Sequence, residues 1–136
     1  MTSKLTEGII VSVETSYQPE LSNPLLNEFM FAYRVTIENN NNFPVQLLSR
    51  HWFIFDSTGS MRFDSTGSMR EVEGEGVVGV QPIIEPGEYY QYSSGCNLKS
   101  EMGRMHGTYL IKNIRTNRSF KVAIPAFEME VPFKLN

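Results

Sequence analysis

Apolar residues recur at every second position over much of the chain. Across residues 29–38 the odd positions are Phe29, Phe31, Tyr33, Val35 and Ile37, while the even positions include Arg34, Thr36 and Glu38. Period two predicts a strand with one face in a core and one in water. Ile9, Val11 and Val13 alternate with Ser12 and Glu14 in the same way. Residues 45–55 are apolar on both sides: Leu47, Phe53 and Phe55 on one, Leu48, Trp52 and Ile54 on the other. That pattern predicts a strand covered on both faces. Residues 89–93, 105–112 and 120–124 continue the series. Pro125, Phe127, Met129, Val131 and Phe133 form a last alternating run, with Pro132 marking an edge.

Turn chemistry separates these runs. Residues 39–44 read Asn-Asn-Asn-Asn-Phe-Pro, which favours a turn because Asn tolerates positive φ and Pro fixes its own φ. Pro86-Gly87 pre-sets another turn, and Thr116-Asn117-Arg118 joins two runs as a hairpin. Residues 18–27 hold two prolines and read as a loop with room for one helical turn. No segment of a dozen residues shows a 3.6-residue apolar period. Seven or eight short strands with regular turn signals predict an all-β, immunoglobulin/fibronectin type III-like β-sandwich of antiparallel strands. A small barrel is the alternative.

Residues 55–62 and 63–70 are the same octapeptide, Phe-Asp-Ser-Thr-Gly-Ser-Met-Arg, twice in succession. Solenoid repeats need units of about 20–50 residues, so this is a tandem duplication of one hairpin tip. The insertion has an even length, and side chains alternate with period two. A slip by one copy therefore keeps every residue on its original face. The favoured arrangement lets copy one continue the outgoing strand and copy two start the return strand. Residues 58–67 then form a long, mobile or protruding loop. Growing a loop about fourfold costs on the order of 1.2 kcal/mol, which a folded domain tolerates. The alternative is a longer hairpin turning at Arg62-Phe63.

Length and composition narrow the class. The 136 residues fit one domain, 1–136, with 40% apolar and 20% charged residues. The net charge of −3 offers no basic excess, so no nucleic-acid partner is expected. The single cysteine, Cys96, cannot form an internal disulfide, and no apolar run reaches the ~20 residues that span a bilayer. The expected location is cytoplasmic, with no membrane partner. An edge strand offers a route to homo-oligomers.

Candidate chemistry is sparse. Gly74, Gly76 and Gly79 match the spacing G-x-G-x-x-G, but Pro82 and Pro86 follow and no helix can. What survives is a glycine-rich turn whose N–H groups could hold a small anion. His51 and His106 could meet Cys96, Glu73 or Glu75 in a metal site, yet no ligand spacing supports one, so no metal residue is assigned. Ser93-Ser94-Gly95-Cys96-Asn97 lacks the strand–turn–helix elbow of a nucleophile. No catalytic residue and no cofactor are assigned. Tyr89, Tyr90 and Tyr92 alternate across a strand, and an exposed subset would form a recognition surface.

Several of these segments together resemble the ApaG family. They are Gln46-Leu47-Leu48-Ser49-Arg50-His51-Trp52, residues 72–82, Pro86-Gly87-Glu88, Tyr92-Ser93-Ser94-Gly95-Cys96, residues 102–109, and Ile124-Pro125-Ala126-Phe127. The likeness runs from residue 11 to Pro132, and the second octapeptide is its departure. The resemblance implies a fibronectin-like sandwich and a non-enzymatic binding or protein-interaction module, since related domains in F-box and DNA-polymerase-associated proteins look like interaction modules. It links the chain to cobalt resistance and magnesium efflux. It also implies, as alternatives, divalent-metal binding, or pyrophosphate or nucleotide binding at Gly74, Gly76 and Gly79.

Overall fold

In the computed structural model, residues 1–57 and 68–132 are described, and they form two antiparallel sheets. The strands are β1 Thr2–Thr6, β2 Ile9–Tyr17, β3 Phe29–Asn39, β4 Val45–Ser57, β5 Ser68–Glu75, β6 Ile83–Ile84, β7 Tyr89–Leu98, β8 Met102–Asn113 and β9 Ser119–Glu130. One sheet has the order β1-β2-β3-β7; the other has β5-β4-β8-β9, with β6 also on β4. The sandwich is the expected class, with β1 and the two-residue β6 added to the strands that periodicity predicts. Residues 18–27 hold two short 3-10 turns, Pro19–Leu21 and Pro24–Leu26. Among the described residues no helix is long and apolar enough to cross a membrane.

Strict alternation fails in β4, and the reason is one residue. Leu47 pairs with Ile111 while Ser49 pairs with Leu110, so Leu48 is extra. A bulge of this kind changes which side chains face inward. Val45 and Leu47 are buried before it, and Trp52, Ile54 and Asp56 after it. Leu47 therefore does not share a face with Phe53 and Phe55, as simple alternation predicts. The opposite face of β4 is only half-covered, not buried on both sides. A second bulge lies in β9, where Phe127 pairs with Met105 but Ile124 pairs with Gly107. It fuses the runs 120–124 and 125–133 into one strand, with Pro125 at the irregularity where a missing N–H is tolerated.

Trp52 anchors the core. Its ring lies 5.4 Å from Tyr33, 5.9 Å edge-on from Phe127 and 6.3 Å edge-on from Tyr109. Edge-to-face pairs at these distances add to the burial energy. The hydroxyls of Tyr92 and Tyr109 hydrogen-bond to each other across the sandwich, which satisfies two buried polar groups. Burial pushes both phenols above the usual tyrosine range.

The duplicated segment contributes from both copies. Phe55 pairs with Met69 and Asp56 with Ser68, so copy one feeds β4 and copy two feeds β5. Buried Asp56 accepts bonds from the Lys99 N–H at 2.6 Å and the Ser100 hydroxyl at 2.5 Å. Arg70 donates to the Asn97 carbonyl at 3.0 Å. One residue from each copy thus ties this hairpin to the other sheet: Arg70 to the end of β7, and Asp56 to the segment between β7 and β8. The expected long loop, 58–67, lies outside the described residues.

The asparagine turn is anchored by Asn39, whose side chain is fully buried. Its Nδ2 donates to the carbonyls of Phe43 and Ile84, both at 2.9 Å, and its Oδ1 accepts the Asn41 N–H at 3.0 Å. Replacing it strands three polar groups. Asn39→Ala is expected to lower the unfolding free energy by about 2–3 kcal/mol in urea denaturation. Exposed Asn40→Ala is expected to change it by less than about 0.5 kcal/mol.

Candidate functional site

Beyond the bulge, odd-numbered residues of β4 face outward, and this places His51 beside β5. His51 pairs with Glu73 and Phe53 with Glu71. The His51 Nε2 lies 2.5 Å from a Glu71 carboxylate oxygen, and Nδ1 lies 3.4 Å from one of Glu73. Their candidate ligand atoms all lie within 4.8 Å of one another. One imidazole thus stands between two exposed carboxylates, a donor set with the spacing to take a divalent cation. His106 does not join it. Its ring stacks on Phe53 at 5.2 Å, and Phe53 lies 4.6 Å from His51 on the other side.

Sequence reasoning named His51 and Glu73 for this chemistry and missed Glu71. The readable signal was two glutamates two residues apart on a strand. What it lacked was the register that sets them against His51. Cys96 and Glu75 stay outside the cluster. Cys96 is buried in the other sheet, with its thiol pushed up by burial. It sits 3.5 Å from an Arg70 nitrogen, not beside a histidine base. Ser93 and Ser94 lie within β7 opposite Arg34 and Tyr33.

The glycine motif is a clamped two-residue hairpin turn. Val77 and Val80 bridge, with N–H to carbonyl distances of 2.8 and 3.1 Å, and Val78 and Gly79 between them have φ of 47° and 80°. The Gly76 N–H donates to the Leu48 carbonyl at 2.8 Å. Arg50 Nη1 reaches across Gly74 and donates to the carbonyls of Glu75 and Gly76, at 3.0 and 2.8 Å. A Cβ on Gly74 would lie 2.9 Å from that guanidinium, so the residue must be small for the arginine to pass. A hollow of about 160 Å³ alongside is lined by Arg50, His51, Glu73, Gly74 and Lys121. Of the three predicted glycines, Gly74 lines this hollow and is crossed by Arg50, while Gly76 and Gly79 shape the turn.

Exposed apolar side chains flank this turn at Val78, Val80 and Ile83, and a second group lies apart from it. In the 3-10 segment Leu21, Leu25 and Leu26 are 69%, 95% and 64% exposed. Of the tyrosines expected to form a recognition surface, Tyr89 is exposed but Tyr92 is in the core. The leucine loop was not legible, because a leucine in a sequence reads first as a core residue.

Val78 is β-branched and holds a left-handed backbone, which costs about 1–2 kcal/mol relative to a residue that accepts it. Asn-Gly is the favoured pair for such a turn. Val78→Asn is expected to raise the unfolding free energy by about 1 kcal/mol in urea denaturation; a loss of stability contradicts the turn geometry.

A family model described as the ApaG domain matches residues 19–113. The chain is 45% identical over 132 residues to the ApaG protein of Brucella canis, covering 97% of this chain and 95% of that one. It is 42% identical over 137 residues to the ApaG protein of Anaeromyxobacter dehalogenans, covering both chains completely. Among solved structures, that of the putative ApaA protein from Bordetella pertussis superposes with a TM-score of 0.82 at 39% identity. The match covers 93% of this chain and 95% of that one. Matching sequence along almost the whole length, together with the same sandwich, settles the relationship: the chain belongs to the ApaG family.

Proposed function

We propose that this domain is a non-enzymatic protein-binding module and that the loop between β2 and β3 is a contact surface. The observation that carries the reading is the exposure of Leu21, Leu25 and Leu26 on one short segment. Burying a leucine is worth about 1.5–3 kcal/mol, so three that stay in water form a strong incentive for association. The segment is also well shaped for display. The Ser22 hydroxyl donates to the Gln18 carbonyl at 2.8 Å and accepts the Met30 N–H at 2.8 Å, which fixes the loop without burying the leucines. A photo-crosslinking residue at position 25, placed in the native cell, is expected to give discrete protein adducts. The same residue at exposed Glu14 is expected to give none. Identical or absent adducts at both positions contradict the reading.

The His51, Glu71 and Glu73 cluster favours a second reading, divalent-cation binding connected with cobalt or magnesium handling. One imidazole and two carboxylates are a mixed nitrogen and oxygen donor set of the kind borderline divalent cations accept. Calorimetry with cobalt(II) is expected to show one saturable site, lost in His51→Ala and in Glu71→Gln/Glu73→Gln. Unchanged heats in those variants contradict it. Pyrophosphate in place of the metal tests the anion reading for Gly74, Gly76 and Gly79, which Lys121 on the wall of the adjoining hollow supports. Saturable heat that Lys121→Gln weakens is its expected result.

A further inference from the structure

We propose that β5 is a docking edge for an extended segment of another protein in which basic residues alternate with apolar ones. The proposal uses a different surface from the leucine loop and stands independently of it. Among the described residues β5 pairs with β4 alone, and seven of its eight residues are exposed.

The orientation of the main chain follows from one bond. The Gly76 N–H donates to the Leu48 carbonyl, in register with the β4–β5 ladder. Antiparallel ladders alternate between residues that bond across the pair and residues that point away. Gly74, Val72 and Arg70 therefore direct their N–H and carbonyl groups to β4. Glu75, Glu73 and Glu71 direct theirs outward. The carbonyl of Glu75 is taken by Arg50, which leaves the groups of Glu73 and Glu71 at the centre of the edge.

The same three residues carry the negative charge. An added antiparallel strand would pair main chain with Glu71 and Glu73 and reach Glu75 through its N–H alone, and its residues directly opposite these three would point to the same face. Lys or Arg at those alternate positions meets a carboxylate each time, two of which it shares with the His51 imidazole. Between them, an apolar residue would lie over Val72, which is 36% exposed at the edge. A second copy of this chain does not fit. Two β5 strands paired antiparallel about Glu73 place Glu73 against Glu73 and Glu71 against Glu75, and like charges directly opposite are destabilising.

The probe is an acetylated, amidated peptide, Thr-Lys-Val-Lys-Val-Lys-Thr, carrying a fluorophore and titrated with the full-length protein. A control of the same composition, Lys-Lys-Lys-Val-Val-Thr-Thr, breaks the alternation. The alternating peptide is expected to bind at least roughly tenfold more tightly than the control, and Glu71→Gln/Glu73→Gln to weaken it by roughly tenfold. Both substitutions are at exposed positions, so the fold should persist. Glu71→Lys/Glu73→Lys is expected to reverse the preference toward an alternating Glu peptide. Amide exchange at Glu71 and Glu73 should slow in the peptide complex. Equal binding of the two Lys peptides, or binding without protection of those two amides, overturns the proposal. So does no binding at all, which would make the glutamates edge protection alone, or a concentration-dependent dimer that protects the same amides. Substitution of Leu21, Leu25 and Leu26 by Ser is expected to leave the peptide affinity unchanged, which keeps this outcome separate from that of the leucine surface.

Discussion

One inserted residue in β4 determines the character of the exposed side of this sandwich. Leu48 stands in a bulge against β8, and everything after it is out of phase with everything before it. Without that shift Trp52 would point into water and His51 into the core. With it, Trp52 meets Tyr33, Tyr109 and Phe127 in the sandwich interior. The imidazole is delivered to the surface beside β5, and Phe53 lies between it and His106. A strand that begins and ends apolar can thus serve as core on one side and as a polar platform on the other.

The second consequence is the glycine turn. Even-numbered Arg50 points inward after the bulge, where its charge would be stranded among tyrosines. Gly74 opens a path, and the guanidinium passes across β5 to the carbonyls of Glu75 and Gly76. Charge-assisted bonds to main-chain carbonyls are about twice as strong as neutral ones, so they hold the turn close to the sheet. The spacing G-x-G-x-x-G therefore has a local structural cause: passage for an arginine at Gly74 and left-handed backbone at Gly76 and Gly79. A helix N-terminus, which the same spacing supplies in dinucleotide folds, plays no part.

Much of the architecture was legible because strand alternation and turn chemistry are local properties. Asn39, Pro86-Gly87 and residues 116–118 each lie at a turn, as their residue types predict. The bulges were not legible, since an extra residue is defined only against the partner strand. Apolar residues on both sides of residues 45–55 concealed the change of phase. The His51 cluster was half legible for a related reason. Its members are separated by the duplicated octapeptide, and an even-length repeat leaves the register open. Only pairing Asp56 with Ser68 brings Glu73 opposite His51. The exposed leucines were hidden by their own chemistry, because hydrophobic pattern predicts burial and says nothing about apolar side chains displayed for a partner.

Docking at β5 requires an open edge whose outward main-chain groups belong to its glutamates. Residue-resolved amide hydrogen exchange on the free protein reads that alternation directly. Slow exchange at Arg70, Val72 and Gly74, interleaved with fast exchange at Glu71 and Glu73, is the predicted result. Uniform protection along β5, or protection at the glutamates in place of their neighbours, would contradict it.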